Sequence, residues 1–214
     1  MAAVGTPDEV LHVTRELVRK GLVEGTAGNV SCRLPDGRIC MTPSSMPYDT
    51  MTVDQLPIVD LDGNVVEGEH SPTSEKALHL AVYRAYPEIG GVVHCHAAAA
   101  TQFALVHQPI PAFIEEFVIY VGGEVPVCEF TPAGTDHLGE VCAASLKDVS
   151  ATLLANHGLV AIGATPTKAL HVAALVERSA GIIAGAQRLG EIVPIPDEEN
   201  TNARGVYDLF RHHM

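Results

Sequence analysis

The sequence predicts a single α/β domain over residues 1–214, built on a central, largely antiparallel β-sheet flanked by helices. Three observations carry this. Short β-branched runs bounded by Gly, Pro and Asp alternate with longer segments of helical apolar spacing. Two turns, Pro35-Asp36-Gly37 and Asp62-Gly63-Asn64, close hairpins between apolar runs. No βαβ unit or internal sequence repeat recurs along the chain.

The first helix is expected over residues 7–21. Thr6 can cap it, Pro7 suits its first turn, Asp8 and Glu9 complement its dipole, and Gly21 ends it. Leu11, Thr14, Leu17 and Val18 form its apolar stripe. The two hairpins follow, one within EGTAGNVSCRLPDGRICMTPSSMPYDTM and one within PIVDLDGNVVEG. A helix from about Pro72 to Ala85 comes next, then the strand GVVHCH and a helix over Ala97–Leu105. EVPVCEF reads as a strand, Asp136–Ser145 as a helix, ATLLANHGLVAIG as a pair of strands, and Pro166–Leu189 as a long helix. The tail from about Pro194, rich in Asp, Glu and Pro, is expected to be mobile or packed on a neighbour.

At 47% apolar and 18% charged residues, the composition is that of a globular chain. A net charge of −13, with only 13 Lys and Arg, argues against a nucleic-acid surface or an anionic membrane. A phosphorylated ligand stays open, because backbone amides and hydroxyls hold phosphate without much positive charge. The five cysteines (32, 40, 95, 128 and 142) are odd in number, spread out and free of any CxxC, so a reduced, cytoplasmic setting is expected. The stretch AALVERSAGIIAGAQRLG is interrupted by Glu177 and Arg178, and no apolar run reaches the ~20 residues of a spanning helix.

GVVHCH places His94 and His96 two apart on an apolar strand, hence on one face, with Cys95 on the other. A lone histidine there would be an ordinary core residue; two side by side suggest a shared metal ion. His157, ending another apolar strand before a glycine, is the third candidate, and three histidines with an open position match a catalytic zinc. The other histidines, His212 and His213 included, lack that context and read as surface residues or neighbours of the site. In HSPTSEKALH, Ser71, Thr73, Ser74 and Glu75 open a helix, and from the segment alone simple capping explains them better than chemistry does. In the chemical reading Glu75 is a base beside the metal and the hydroxyls hold phosphate. GTAGNVSCR and MTPSSMPYD are small-residue loops without a GK[ST] or GxGxxG signature. Each is a turn or, through Asn29, Ser44 and Ser45, part of an anion nest.

In order along the chain, EGTAGNVS, MTPSSMPYD, SPTSEKALHLAVY, VVHCHAAAATQFAL and ATLLANHGLVAIG resemble the class II aldolase/adducin family, and within it the L-fuculose-phosphate aldolases. The resemblance covers nearly the whole chain. It implies one Zn2+ per subunit held by His94, His96 and His157, with Glu75 as acid/base and as an alternative fourth ligand. It also implies phosphate contacts from Gly28, Asn29, Ser44, Ser45, Thr73 and Ser74, and a homotetramer with active sites at subunit interfaces. The substrate class it implies is a ketose 1-phosphate, L-fuculose 1-phosphate or a close relative, cleaved to dihydroxyacetone phosphate and a short aldehyde such as L-lactaldehyde.

Two positions depart from the pattern. A family tyrosine in the segment matching FIEEFVIYVGG, which protonates the aldehyde oxygen, is replaced here by Glu116; Glu115 or Glu116 could serve as acid in its place. A tail tyrosine falls on Phe210, with Tyr207 one turn earlier. Epimerases, dehydratases and decarboxylases share the zinc scaffold. The epimerases usually carry an Asp-bearing segment where this chain has SPTSEK, which favours an aldolase. A catalytically silent, adducin-like binding protein would tend to lose the histidines or the Glu. With neutral histidines as ligands, activity is expected to fall as pH drops through ~6.5.

Overall fold

The computed structural model describes residues 4–211; His212 and His213 lie outside the described residues. α1 (Pro7–Arg19) begins as the sequence dictates: Thr6 Oγ1 accepts from Glu9 N at 3.2 Å, and Pro7, Asp8 and Glu9 fill the first turn. Its buried side comprises Val10, Leu11, Val13, Thr14 and Leu17, whereas Val18, expected in that stripe, is exposed.

Eight strands form one sheet: β1 (Asn29–Arg33), β2 (Ile39–Met41), β3 (Ile58–Val59), β4 (Val65–Glu67), β5 (Gly91–Cys95), β6 (Val127–Cys128), β7 (Ala151–Leu154) and β8 (Gly158–Gly163). Their spatial order is β4-β3-β2-β1-β5-β8-β7-β6. Every neighbouring pair is antiparallel except β6 with β7. The sheet is therefore largely antiparallel, as expected.

The central strands β1, β5 and β8 are buried along their whole length, which explains their nearly continuous apolar runs. Successive residues face opposite sides. Val93, Cys95, Leu159 and Ala161 join one apolar cluster with α1, α3 (Ala98–Leu105) and α6 (Pro166–Ala186). Val92, Val160 and Ile162 join a second with α2 (Lys76–Ala85) and α5 (Asp136–Ser145). All five cysteines are free and buried.

Four boundaries or elements differ from expectation. α2 starts at Lys76 rather than Pro72, because Pro72 pairs with Pro43 in an isolated bridge and Thr73 N donates to Thr42 O at 3.0 Å. Only Val127–Cys128 of EVPVCEF pairs as a strand. α4 (Glu115–Val121) forms from FIEEFVIYV, whose β-branched and aromatic content hides a short helix. The tail carries α7 (Asp197–Phe210), which packs on α4 of the same chain. Its anchor is the buried Tyr207, whose hydroxyl lies 2.9 Å from Ser150 Oγ, while Arg204 donates to Gly122 O at 2.6 Å. By length and composition α6 meets the requirement for a membrane span, contrary to expectation; half of it is buried against β5, β8 and α3, as in a core helix.

Candidate metal and phosphate site

The ends of β1, β5 and the β7–β8 turn meet the start of α2, and this meeting point collects the site. Asn29 opens β1 directly opposite His94 on β5. His96 lies just beyond the end of β5, and the β7–β8 turn carries His157. Two glycines let the backbones approach. A Cβ on Gly28, at φ +81°, would stand 2.7 Å from His94 O; one on Gly158 would stand 2.6 Å from Cys95 O and 3.0 Å from the His96 ring. Asn156, immediately before His157, holds a left-handed φ of 57° and accepts from His107 Nε2 at 2.7 Å. Ser45 is also left-handed, at φ 59°. Such backbone conformations cost free energy and recur at functional sites.

The three imidazoles converge, with ligand-capable atoms all within 4.8 Å of one another. His94 Nε2 lies 3.1 Å from His96 Nε2 and 3.2 Å from Glu75 Oε2, and Glu75 Oε1 lies 3.5 Å from His157 Nε2. When His94 donates from Nδ1 to Leu159 O, 3.0 Å away, its Nε2 presents a lone pair to these neighbours. Several acceptors then crowd one point, which is unfavourable unless a positive charge sits among them. Glu75 Oε1 is buried with no hydrogen-bond partner. The spacings match the edge of a tetrahedron built on ~2.0–2.1 Å metal–nitrogen bonds, about 3.3 Å. Three histidines and a carboxylate thus fit a divalent cation.

Electrostatics agree with that use. Burial pushes the Glu75 carboxyl up, but His94, the Asn29 amide and His157 together outweigh it and hold the carboxyl well below the usual carboxylate range. Burial, then His94 and His157, push His96 down to about 4, and burial followed by His94 pushes His157 down. Both rings are therefore neutral, and able to bind a metal, near neutral pH.

Beside the cluster lies a polar cleft of about 170 Å³ lined by Thr26, Ala27, Gly28, Asn29, Pro43, Ser44, Ser45, Thr73, Ser74, Glu75 and His96. All six residues assigned to phosphate binding line it. The two hydroxyl-rich loops are brought together by the Pro43–Pro72 bridge and by Ser44 N donating to Ser71 O at 2.9 Å. Tyr48 braces the glycine loop by donating to Gly28 O and to Thr26 O. Capping and chemistry share the start of α2. Thr73 Oγ1 accepts from Glu75 N at 3.3 Å, while the Glu75 side chain makes no cap and turns to the histidines. Lys76 turns away and donates to Gly63 O at 2.8 Å, so its amine does not join the cluster.

Glu116 is not brought into this cleft within the chain. It sits in the first turn of α4, half exposed, 3.6 Å from Arg178. Phe210 is likewise half exposed, and Tyr207 is committed to Ser150. One site neighbour escaped the sequence reading: His79, fully buried, lies behind Asn29 on α2. Its four-residue spacing from Glu75 on one helix face was the available signal.

The comparisons with known proteins agree with this geometry. Residues 8–184 match the family described as Class II Aldolase and Adducin N-terminal domain. The chain is 36% identical over 191 residues to an L-fuculose phosphate aldolase of Escherichia coli, covering 89% of this chain and 88% of that one. It is also 36% identical over 184 residues to an L-ribulose-5-phosphate 4-epimerase of Salmonella paratyphi B, covering 80% and 81%. A solved structure of an L-fuculose 1-phosphate aldolase superposes with a TM-score of 0.89 at 32% identity, covering 94% of this chain and 95% of that one. A convergent three-histidine cluster, a carboxylate oxygen without a hydrogen bond beside it and matches of this extent lead to one statement: the chain belongs to the class II aldolase and adducin family.

Proposed function

We propose that the protein is a zinc-dependent aldolase that reversibly cleaves a ketose 1-phosphate, L-fuculose 1-phosphate or a close relative, to dihydroxyacetone phosphate and a short aldehyde such as L-lactaldehyde. The observation that carries this reading is the Glu75 carboxylate, set between the histidine cluster and the hydroxyl-lined cleft with one oxygen unpartnered. His94, His96 and His157 would hold a divalent cation, which when bound would supply positive charge to the oxygen that becomes negative as the carbon–carbon bond breaks.

The residues around it take the remaining tasks. Gly28, Asn29, Ser44, Ser45, Thr73 and Ser74 hold the substrate phosphate through amide and hydroxyl donors, and that binding energy positions the reacting carbons. Glu75, kept ionised by its neighbours, removes the proton next to the carbonyl of dihydroxyacetone phosphate in condensation and returns it in cleavage. Glu116, displayed on the surface by α4, serves the aldehyde oxygen from a neighbouring subunit in a homotetramer. The expected setting is the cytoplasm.

The 4-epimerase relative supports a second reading on the same scaffold, in which the fragments recombine with inverted configuration. Product identity separates the two. The zinc-loaded protein is incubated with L-fuculose 1-phosphate and related ketose 1-phosphates, and released dihydroxyacetone phosphate is measured with and without chelator. Zinc-dependent release is expected. No release from any ketose 1-phosphate, together with inversion of a pentulose 5-phosphate, overturns the aldolase reading.

A further inference from the structure

Behind Glu75 runs a buried chain of polar groups that the proposed mechanism does not use. Asn29 Nδ2 donates to Glu75 Oε2 at 2.9 Å. Asn29 Oδ1 faces His79 Nε2, 2.5 Å away. On the other side of that ring, Nδ1 lies 2.6 Å from Ser31 Oγ, which lies 3.0 Å from the Tyr83 hydroxyl. Asn29, Ser31, His79 and Tyr83 are all at most 4% exposed.

The chemistry of each group leaves one arrangement of protons. An ionised carboxylate only accepts, so the Asn29 amide must turn its NH2 toward Glu75 and its carbonyl toward His79. That carbonyl also only accepts, so His79 must carry its proton on Nε2. With no carboxylate in contact, a second proton on this fully buried ring would leave an uncompensated charge. Burial accordingly pushes His79 down to about 3. The bare Nδ1 then accepts from Ser31, and Ser31 accepts from Tyr83. All the donors point the same way: Tyr83 to Ser31, Ser31 to His79, His79 to Asn29, Asn29 to Glu75.

From this we infer that His79 is a positioning residue that locks the Asn29 amide in the orientation which donates to Glu75 and aims the carboxylate at the cleft. The inference deepens the proposed function, since it assigns a task to Asn29 beyond the phosphate it lines. Without the Nε2 donor, the Asn29 carbonyl would be buried and unpaired, and rotating the amide to relieve it would turn that oxygen onto the carboxylate. The chain thus makes the wrong rotamer of Asn29 costly from both ends.

The test compares two amide variants of similar polarity in the zinc-loaded protein. In His79→Gln the side-chain nitrogen reaches the place of Nε2 and keeps the donor to Asn29. In His79→Asn it reaches only the place of Nδ1 and loses that donor. The Asn29 side-chain amide resonances and their hydrogen exchange are read by NMR, and kcat and KM are measured on whichever ketose phosphate the wild type turns over. In His79→Asn, the Asn29 amide protons are expected to shift and exchange at least about tenfold faster. There kcat is expected to fall about tenfold with KM nearly unchanged, and His79→Gln is expected to recover most of both losses. Equal behaviour of the two variants, or a lower melting temperature with Asn29 unmoved, overturns the inference. Should both variants fail to fold, the His79 tautomer is read in the wild type by nitrogen NMR of its ring; a proton on Nδ1 rather than Nε2 overturns the inference too. If the wild type cleaves no ketose phosphate, the aldolase reading falls, while the NMR arm still decides the role of His79.

Discussion

The two halves of the site are built differently. On the metal and phosphate side, Asn29, Thr73, Glu75 and His94 are each under a tenth exposed and hang from strands β1 and β5 or the start of α2. On the proposed aldehyde side, Glu116 and Phe210 lie on α4 and α7, each about half exposed, and neither lines the cleft within one chain. Part of the proposed general chemistry thus rests on side chains that packing holds, although His96, Ser44, Ser45 and Ser74 are exposed. The group that would meet the variable part of the substrate stands on the surface, where its own chain imposes little.

The sharpest way to break that contrast is at Glu75. Glu75→Gln keeps size and hydrogen bonding but removes the base, so kcat is expected to fall by about 10²- to 10⁴-fold with metal content retained. A loss below about tenfold would mean that the buried half does not carry the proton transfer.

Acid is the next test. His96 and His157 are pushed below the ordinary histidine value, so protons compete with the metal only at lower pH. The acid limb of activity, and of zinc retention by equilibrium dialysis, is therefore expected below ~6.5 and toward the value of about 4 that burial gives His96. The same depression makes the fold less stable as pH falls from ~6.5, because the unfolded chain takes up protons first. A midpoint at or above 6.5 would show that partial burial and the neighbouring rings do not depress these histidines.

Smaller effects sharpen the comparison. Thr73→Ala removes a buried hydroxyl from the cleft, and a rise in KM of about tenfold with a lesser change in kcat is expected from steady-state kinetics. Glu116→Gln breaks an exposed pair with Arg178, so stability should shift by no more than ~0.5 kcal/mol in chemical unfolding. Its kinetic effect is expected to stay under about tenfold and to vary with the aldehyde. An aldehyde-independent loss as large as that of Glu75→Gln would erase the distinction between the halves.

The sequence made the buried half legible for a physical reason. Histidines on a valine strand, small-residue loops and hydroxyls before a helix are local signals, readable without knowing what lies across the sheet. α4 and α7 were not legible. VIYV carries strand-type residues into a helix, and the acidic run DEENTN gave no apolar stripe beyond Ala203 and Tyr207, the two residues that α7 buries. His79 was missed because a lone histidine among Leu and Ala on a helix usually signals nothing. Its spacing from Glu75 was a weak signal that its pairing with Asn29, 50 positions away in sequence, makes meaningful.

The exposed Glu116–Arg178 pair has a consequence for how such a protein can diversify. Substitutions at Glu115 or Glu116 are expected to leave the fold almost untouched, so, with Glu116 in the role proposed above, changes of acceptor preference could accumulate there without first acquiring compensating stabilising mutations. A laboratory library randomised at those two positions should contain mostly folded, metal-binding members. Selection for a new aldehyde could then act on nearly every clone, whereas a library at Asn29, Glu75 or His94 would mostly sample inactive protein.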